Sequence, residues 1–258
     1  SSPELLSEDK ADIWNSGRVN TNQSIWVNYG GKNLQSNQRV YWRVRVYTNV
    51  GISAWSDMSM FSIGLLGETH WDGRWIGTDN LMPGDKAGVQ HSVMSARYLR
   101  KEFSIKKQLK QATAYIAGLG LYELYINGNH IGNQVLAPSP TDYRKTILYN
   151  TFDVTAQLRE SKNAVGVILG NGRYFAVRQN KPYKNTTFGY PKCRVNIVLE
   201  YTDGTKDVVS TDETWKLTTD GPIRANNEYD GETYDARKEM LGWSNIGYDD
   251  SKWTNADR

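Results

Sequence analysis

The stretch LYELYINGNHIG, residues 121–132, decides the fold. Its first six residues alternate between apolar and polar side chains, as a half-buried β-strand does, and Asn127-Gly128 follows directly. Asn-Gly is the strongest short signal for a type I′ hairpin turn, because both residues tolerate a positive φ. The stretch therefore predicts a β-hairpin and, with it, an antiparallel sheet.

Similar segments recur on both sides of this hairpin. From Ala96 onward they arrive at the spacing of about 8 to 12 residues that is typical of an all-β sandwich. One helical turn is predicted around Ala156 to Leu158, and Asp203-Gly204 predicts another hairpin turn. The strand-like segments read RYLRKEFSI, QATAYIAGL, TILYNTF, NAVGVILG, CRVNIVLEYTDG and ETWKLTT.

Residues 67–258 are predicted to form this sandwich, and residues 1–66 a smaller one. In the smaller domain SIWVNYG (24–30) and RVYWRVRVYT (39–48) alternate as antiparallel strands do. Because immunoglobulin-type sandwiches usually have about 100 residues, we expect this domain to be partial, with one or two strands missing. The segment from Leu65 to about Ser95, which has RWIG in its middle, is predicted to contain a linker and the first strand of the larger domain.

The composition argues against several classes of function. The formal charge is +3 over 258 residues, and Lys and Arg are scattered among acids, so nucleic acid is a poor partner. No apolar run approaches the ~20 residues of a membrane span. The single cysteine, Cys193, excludes an intrachain disulfide. Nine tryptophans and sixteen tyrosines suit either the flat faces of sugars or the core of a sandwich.

The segment APSPTDYR, residues 137–144, is the first candidate site. Two prolines stiffen a loop that presents Asp142, Tyr143 and Arg144, and a sugar requires such a preorganised set of acceptors, donors and a stacking face. Asp142 is the candidate to accept from hydroxyls or to bind calcium, and Tyr143 the candidate to stack. Alternatively the loop only seals the end of the sandwich, and Arg144 pairs with Asp142 or Asp153.

The segment from 171 to 191 is the second candidate site. It is long for a connection between strands and is rich in Tyr, Asn, Lys and Arg, which is typical of functional loops. The same residues would also suit a contact with another domain, so the loop does not distinguish sugar from protein. Its candidate residues are Tyr174, Arg178, Asn180, Tyr183 and Tyr190.

Other chemistries have less support. A glycoside hydrolase site within this chain requires two opposed carboxyl groups, and Glu232 in YDGETYDAR is the most plausible acid. We expect instead that nearby Arg237 forms a structural salt bridge with a neighbouring acid. The histidines lack metal-ligand spacing, and GLGLYE and GNGRYF lack the third glycine and following helix of a phosphate site.

Four separated motifs together resemble the N-terminal region of bacterial α-L-rhamnosidases of glycoside hydrolase family 78. They are GLGLYELYINGNHIG, LAPSPTDYRKTILYNTFDVT, NAVGVILGNGRYF and YDGETYDARKE. YWRVRVYTNVGISAWSDMSMF also resembles the closing strands of a fibronectin type III domain. The resemblance implies an all-β chain in which a partial fibronectin type III-like sandwich precedes a jelly roll related to carbohydrate-binding module family 67.

The resemblance also implies a function. In some such enzymes the jelly roll binds L-rhamnose with a calcium ion, while catalysis lies in a downstream (α/α)₆ barrel. The expected partners are thus a rhamnose-containing carbohydrate and the catalytic domain of the same polypeptide, and the expected location is exported, periplasmic or extracellular. Many relatives carry Gly-Trp where this chain has Ser139-Pro140, and Trp at the position of Arg173, which here becomes a candidate for binding hydroxyls.

Two functions from different classes follow. The chain is expected to be a non-catalytic accessory part of an α-L-rhamnosidase that packs on the catalytic barrel and holds rhamnose-bearing carbohydrate. The alternative is a structural spacer without a ligand. The two differ in whether the loops after Pro138 and Gly170 converge on a concavity with unpaired polar groups.

Overall fold

The computed structural model describes residues 1–7, 9–87, 92–177 and 187–258. The chain divides into two compact units, Ser1–Trp71 and Asp72–Arg258. Both are built from antiparallel strands, which confirms the predicted all-β fold. No helix among these residues is long and apolar enough to cross a membrane.

Unit 1, residues 1–71, contains one short helix and two small two-stranded sheets. In the first sheet Val40 lies opposite Phe61, and Val40 is the one described residue of the unit that is a buried hydrophobic. A 3₁₀ turn, Glu68–His70, closes the unit. The elements are α1 (Pro3–Ser7), β1 (Arg39–Trp42), β2 (Tyr47–Thr48), β3 (Gly51–Ile52) and β4 (Ser59–Ser62).

The strand predicted over residues 24–30 is not formed, and the strand predicted over residues 39–48 is interrupted after Trp42. Ile25, Trp26 and Val27 are instead exposed. A strand requires a neighbour that accepts and donates its backbone hydrogen bonds, and apolar alternation does not supply one. The alternation alone was therefore an insufficient reason to predict a strand at residues 24–30.

Unit 2, residues 72–258, carries the remaining strands. The predicted helical turn is present as a 3₁₀ turn, Thr155–Gln157, and a second 3₁₀ turn spans Ala236–Lys238. The strands are β5 (Ile76–Gly77), β6 (Lys86–Ala87), β7 (Ser92–Val93), β8 (Arg97–Ser104), β9 (Leu109–Leu119), β10 (Leu121–Ile126), β11 (Asn129–Ile131), β12 (Tyr149–Asp153), β13 (Lys162–Gly170), β14 (Lys192–Tyr201), β15 (Lys206–Ser210), β16 (Lys216–Thr218), β17 (Ile223–Asn227), β18 (Gly231–Tyr234) and β19 (Thr254–Asn255).

Two sheets form the sandwich of unit 2. One has six strands in the order β11-β10-β13-β8-β16-β19, and the other has β12-β9-β14-β15 with β5 paired to β14. Alternate residues of β10, such as Leu124 and Ile126, are buried against residues of β14, such as Val195 and Ile197, in one hydrophobic core. The period of two in the sequence thus reflects a sheet with one face in the core.

The hairpin of residues 121–132 forms as predicted. β10 and β11 are antiparallel, with Ile126 opposite Asn129. Asn127 and Gly128 have φ angles of 50° and 82°, the left-handed values of a type I′ turn. The Asn127 side chain also donates to the Gln157 carbonyl and to Asn163 Oδ1, so the turn is fixed to the rest of the unit.

A buried ion pair holds the segment before β8. Arg97 Nη2 lies 2.7 Å from Asp85 Oδ2, and both side chains are fully shielded from solvent. Asp85 also accepts from the Met82 and Ser95 amides, and Arg97 donates to the Ser95 carbonyl. These bonds fix the backbone around Met94 and Ser95.

Candidate functional site

The loop that follows β11 is anchored at Ala137, whose carbonyl accepts from the Tyr122 amide at 2.8 Å. Farther along, the Asp142 carbonyl accepts from the Lys145 and Thr146 amides at 2.8 and 3.0 Å, which closes a tight turn. Tyr143 lies inside this turn. These hydrogen bonds hold the backbone on either side of Tyr143.

Tyr143 meets the second candidate loop. Its ring centroid lies 5.2 Å from that of Tyr174, edge to face, and 5.3 Å from that of Phe188. Tyr174 and Phe188 stack at 5.9 Å, and the Phe188 amide donates to the Tyr174 carbonyl at 2.9 Å. We call Tyr143, Tyr174 and Phe188 the aromatic cluster. It brings the loops after Pro138 and Gly170 together, and Phe188 was not predicted.

A close approach of backbones makes this meeting possible. Gly120, with φ of 126°, joins β9 to β10, and a Cβ at this position would clash with the Gly170 carbonyl. The glycines of GLGLYE and GNGRYF thus allow two connections at one end of the sandwich to touch. Tyr190, another predicted residue, lies apart from the aromatic cluster and stacks on Phe175 at 5.7 Å.

Burial raises the pKa of both tyrosines in the aromatic cluster. For Tyr143 the charge of Glu228 raises the pKa further, while that of Arg173 opposes it. Both phenols are therefore neutral at physiological pH and able to donate a hydrogen bond.

Arg173 and Glu228 form the charged side of the site. Arg173 Nε lies 4.0 Å from Glu228 Oε1, and each side chain is about one-third exposed. One guanidinium nitrogen of Arg173, Nη1, is buried and has no hydrogen-bond partner. Glu228 was missed as a site residue because it belongs to the β17–β18 turn, far away in sequence. An unpaired donor next to aromatic rings suits an uncharged ligand with hydroxyl groups.

Both carboxylate oxygens of Asp142 are already occupied by hydrogen bonds. Its Oδ1 lies 2.9 Å from Arg144 Nε and its Oδ2 lies 3.3 Å from Arg144 Nη2, so the first of the two predicted partners of Arg144 is correct. The hydrogen bond from Arg144 lowers the pKa of Asp142. Because a guanidinium occupies the carboxylate, the surroundings of Asp142 do not fit a calcium ion.

A pocket of ≈ 20 Å³ lies beside these loops. Asn171 lines it and is 3 % exposed, and its side-chain NH₂ donates to the carbonyls of Asn226 at 2.8 Å and Met94 at 3.3 Å. Because only the nitrogen can donate to two carbonyls, the amide orientation is fixed. Its Oδ1 is buried without a partner. Asp230 and Thr233 also line the pocket.

The side chains of Asn171, Asp230 and Thr233 carry amide, carboxylate and hydroxyl oxygens, which are types of oxygen that calcium binds. A pocket of this volume has room for one water molecule or one ion. Among the described residues there is no group of three or more His, Cys, Asp or Glu side chains placed to hold a metal. An ion here would thus depend on Asn171 rather than on clustered acids.

The other predicted residues lie elsewhere. Arg178, Asn180 and Tyr183 are outside the described residues. Arg237, expected to form a structural salt bridge, pairs with Asp235, and its Nε lies 2.8 Å from Asp235 Oδ1.

The fold and these loops define a β-sandwich domain with a candidate ligand site at one end. Comparison with known families gives its affiliation. Residues 107–258 match the model described as the α-L-rhamnosidase N-terminal domain, and residues 4–67 match the Rha78A-like, N-terminal immunoglobulin domain. The chain belongs to the α-L-rhamnosidase family, as its N-terminal region.

Individual relatives agree. An α-L-rhamnosidase of Formosa agariphila is 40% identical over 98% of this chain. The solved α-L-rhamnosidase of Dictyoglumus thermophilum has a TM-score of 0.87 and 40% identity over 99% of this chain, and that of Aspergillus terreus a TM-score of 0.84 and 32% identity over 94%. The chain spans 28% of the Formosa relative and 29% and 28% of the two solved chains.

Proposed function

We propose that this chain is a non-catalytic accessory part of an α-L-rhamnosidase and that unit 2 binds L-rhamnose or a rhamnose-bearing glycan at the aromatic cluster. The observation that carries the proposal is the meeting of Tyr143, Tyr174 and Phe188, which come from two loops, near Arg173 Nη1, which has no hydrogen-bond partner. Aromatic faces pack on the C–H surfaces of a sugar ring, and the phenols and Arg173 bond to its hydroxyls.

The buried Oδ1 of Asn171 supports the same proposal. A buried acceptor without a partner costs about 1 to 3 kcal/mol, and a ligand hydroxyl or a bound ion removes this cost. The calcium ion implied by the resemblance would be held there by Asn171, Asp230 and Thr233. It would supply a positive charge that attracts hydroxyl oxygens of a sugar.

Hydrolysis of terminal α-L-rhamnose is proposed for a catalytic domain in the remaining length of the parent protein. This domain is also the proposed protein partner. Val135 and Leu136, 82 % and 68 % exposed on the loop that leads to Pro138, support such a contact because adjacent exposed aliphatic side chains favour burial against a protein. An exported, periplasmic or extracellular location is proposed with it, and cell fractionation tests that.

Isothermal titration with L-rhamnose, in calcium and again in chelator, tests the binding proposal. We expect saturable heat that Tyr143→Ala and Arg173→Ala each weaken about tenfold, since one aromatic contact or hydrogen bond is worth about 1.4 kcal/mol. The matched control is Tyr234→Ala, a half-exposed tyrosine of β18 outside the aromatic cluster.

Calcium binding is tested separately, by its effect on thermal stability. Addition of calcium to the sugar-free protein is expected to raise Tm, and Asn171→Ala to abolish this rise. If the folded protein gives no heat with rhamnose in either condition, the binding proposal fails and the structural spacer remains. If heat is present but unchanged by Tyr143→Ala, the sugar binds elsewhere.

A further inference from the structure

Unit 1 carries an alternating series of guanidinium groups and aromatic rings. The Arg43 and Arg45 guanidinium carbons lie over the Trp55 ring, 4.5 and 4.3 Å from its centroid. Arg45 also lies 5.6 Å from the Tyr47 ring, and Arg18 lies 5.2 Å from the same ring. We call these five residues the arginine ladder. It takes no part in the site of unit 2.

The local backbone explains why these side chains meet. Arg43, Arg45 and Tyr47 are alternate residues of one extended segment and therefore project from the same side. Trp55 lies on the returning segment, where the Ser56 amide donates to the Val44 carbonyl at 2.8 Å and Ser56 Oγ accepts from the Val44 amide. The ladder is thus held by two paired segments, with Arg18 added from the N-terminal part of the unit.

The charges of the ladder are unevenly neutralised. Arg43 is only 14% exposed and donates to Asp9 at 2.6 Å. Arg18 and Arg45 are exposed, and neither has a carboxylate within salt-bridge distance among the residues that the structure describes. Two positive charges therefore flank the exposed ring of Tyr47.

This arrangement is suited to anions. A guanidinium that packs its flat face on a ring still presents its N–H edge, which matches the oxygens of a carboxylate or sulfate bidentately. The cation–π contact, worth about 0.5 to 1 kcal/mol at an exposed position, also restricts the side chain before the ligand arrives. Less conformational entropy is then lost on binding.

We propose that unit 1 binds an anionic polysaccharide, one carrying sulfate or carboxylate groups, through Arg18 and Arg45. The Arg18 and Arg45 guanidinium groups both lie close to the Tyr47 ring, so together they suit a polymer that carries anionic groups along one chain. The lack of a basic run makes the closely spaced phosphates of a nucleic acid a poorer fit than a glycan that carries sulfate or carboxylate groups at wider intervals. The proposal does not depend on rhamnose binding by unit 2.

Titration of the whole 258-residue chain with dextran sulfate and with polygalacturonate, at low and high salt, tests the proposal. We expect binding to one or both polymers that weakens as salt screens the charges, and no binding to neutral dextran. The double variant Arg18→Gln/Arg45→Gln is expected to lose at least about tenfold in affinity, because two charge-assisted contacts are removed. The relative affinities distinguish sulfate from carboxylate recognition.

Two further variants separate a built site from general attraction. Arg237→Gln/Lys252→Gln removes the same two charges from unit 2 and is expected to change the affinity less than twofold. Arg45→Lys keeps the charge but not the planar fork and is expected to weaken binding. Absence of binding to both polyanions, equal loss in the charge-matched control, or full affinity in Arg45→Lys each overturns the proposal.

Discussion

At the scale of single residues, burial determines the chemistry of Cys193. Its thiol is fully buried within β14, and burial raises its pKa to about 12. Only the thiolate is a nucleophile, so Cys193 is unreactive for two reasons: reagents cannot reach it, and its thiol stays protonated. The sequence located Cys193 at the edge of a strand, but its burial depends on the strands on either side of β14.

We predict that Cys193 reacts with Ellman's reagent only after unfolding. In native buffer near pH 8 the reaction is expected to be slower than that of free cysteine by orders of magnitude, and in 6 M guanidinium chloride about one thiol per chain should react. Rapid reaction of the folded protein would show that β14 opens readily.

The ion pair between Asp85 and Arg97 is shielded from solvent, so the loss of one partner should lower the free energy of unfolding strongly. We predict that Asp85→Ala lowers the free energy of unfolding by about 3 to 5 kcal/mol, because it leaves Arg97 charged, buried and unpaired. Urea denaturation measures this. The control is Glu200→Ala, which breaks the more exposed pair with Lys206 and is expected to cost at most about 1 kcal/mol. Equal losses of unfolding free energy in the two variants would contradict the prediction that burial makes the Asp85–Arg97 pair more important.

At the scale of elements, the hairpin β10–β11 depends on its turn. We predict that Gly128→Ala destabilises the chain by more than Gly204→Ala, as measured by urea denaturation. Both glycines have φ near 82°, where alanine costs about 1 to 2 kcal/mol. A Cβ at Gly128 would in addition clash with the Asn245 side chain, whereas nothing lies within 4 Å of one at Gly204. Equal effects would mean that Asn245 moves away freely.

The position of each site residue on a loop or strand explains whether the sequence could predict it. Tyr143 and Tyr174 were found because each lies on a loop with an unusual composition, and loops at the end of a sandwich often meet. Asn171, Phe188 and Glu228 were missed because their roles arise from β13, β17 and the connection before β14 lying side by side. No spacing in the sequence reports such a neighbourhood.

At the scale of the whole molecule, the two units differ in their cores. Unit 2 has a continuous core of side chains from both sheets, while unit 1 buries only Val40 among its described hydrophobic residues. We predict that backbone amides of β1 and β4 exchange with deuterium orders of magnitude faster than those of β9 and β14, since protection follows buried apolar contact. Similar protection in the two units would contradict this.

Two buried tyrosines make the stability of the whole molecule depend on alkaline pH. Burial raises the pKa values of Tyr115 and Tyr201 to about 12, and a hydrogen bond to Asp207 adds to the shift of Tyr201. A raised pKa in the folded state means that their contribution is intact below pH 10, the unfolded value, and is lost as the pH rises toward 12. We predict that Tm falls as the pH rises from 10 to 12. Absorbance at 295 nm should show that these tyrosines ionise at a higher pH than exposed tyrosines.

The sequence by itself determined the all-β class, the larger sandwich, the Asn127-Gly128 hairpin and the two loops that form the candidate site. These features depend on side-chain alternation and turn chemistry, which act between residues close together in the chain. The tertiary structure alone decided that residues 24–30 form no strand and that Asn171, Phe188 and Glu228 join the site. Each of these depends on partners far away in sequence, because backbone pairing, burial and ion pairing are settled only when distant segments pack together.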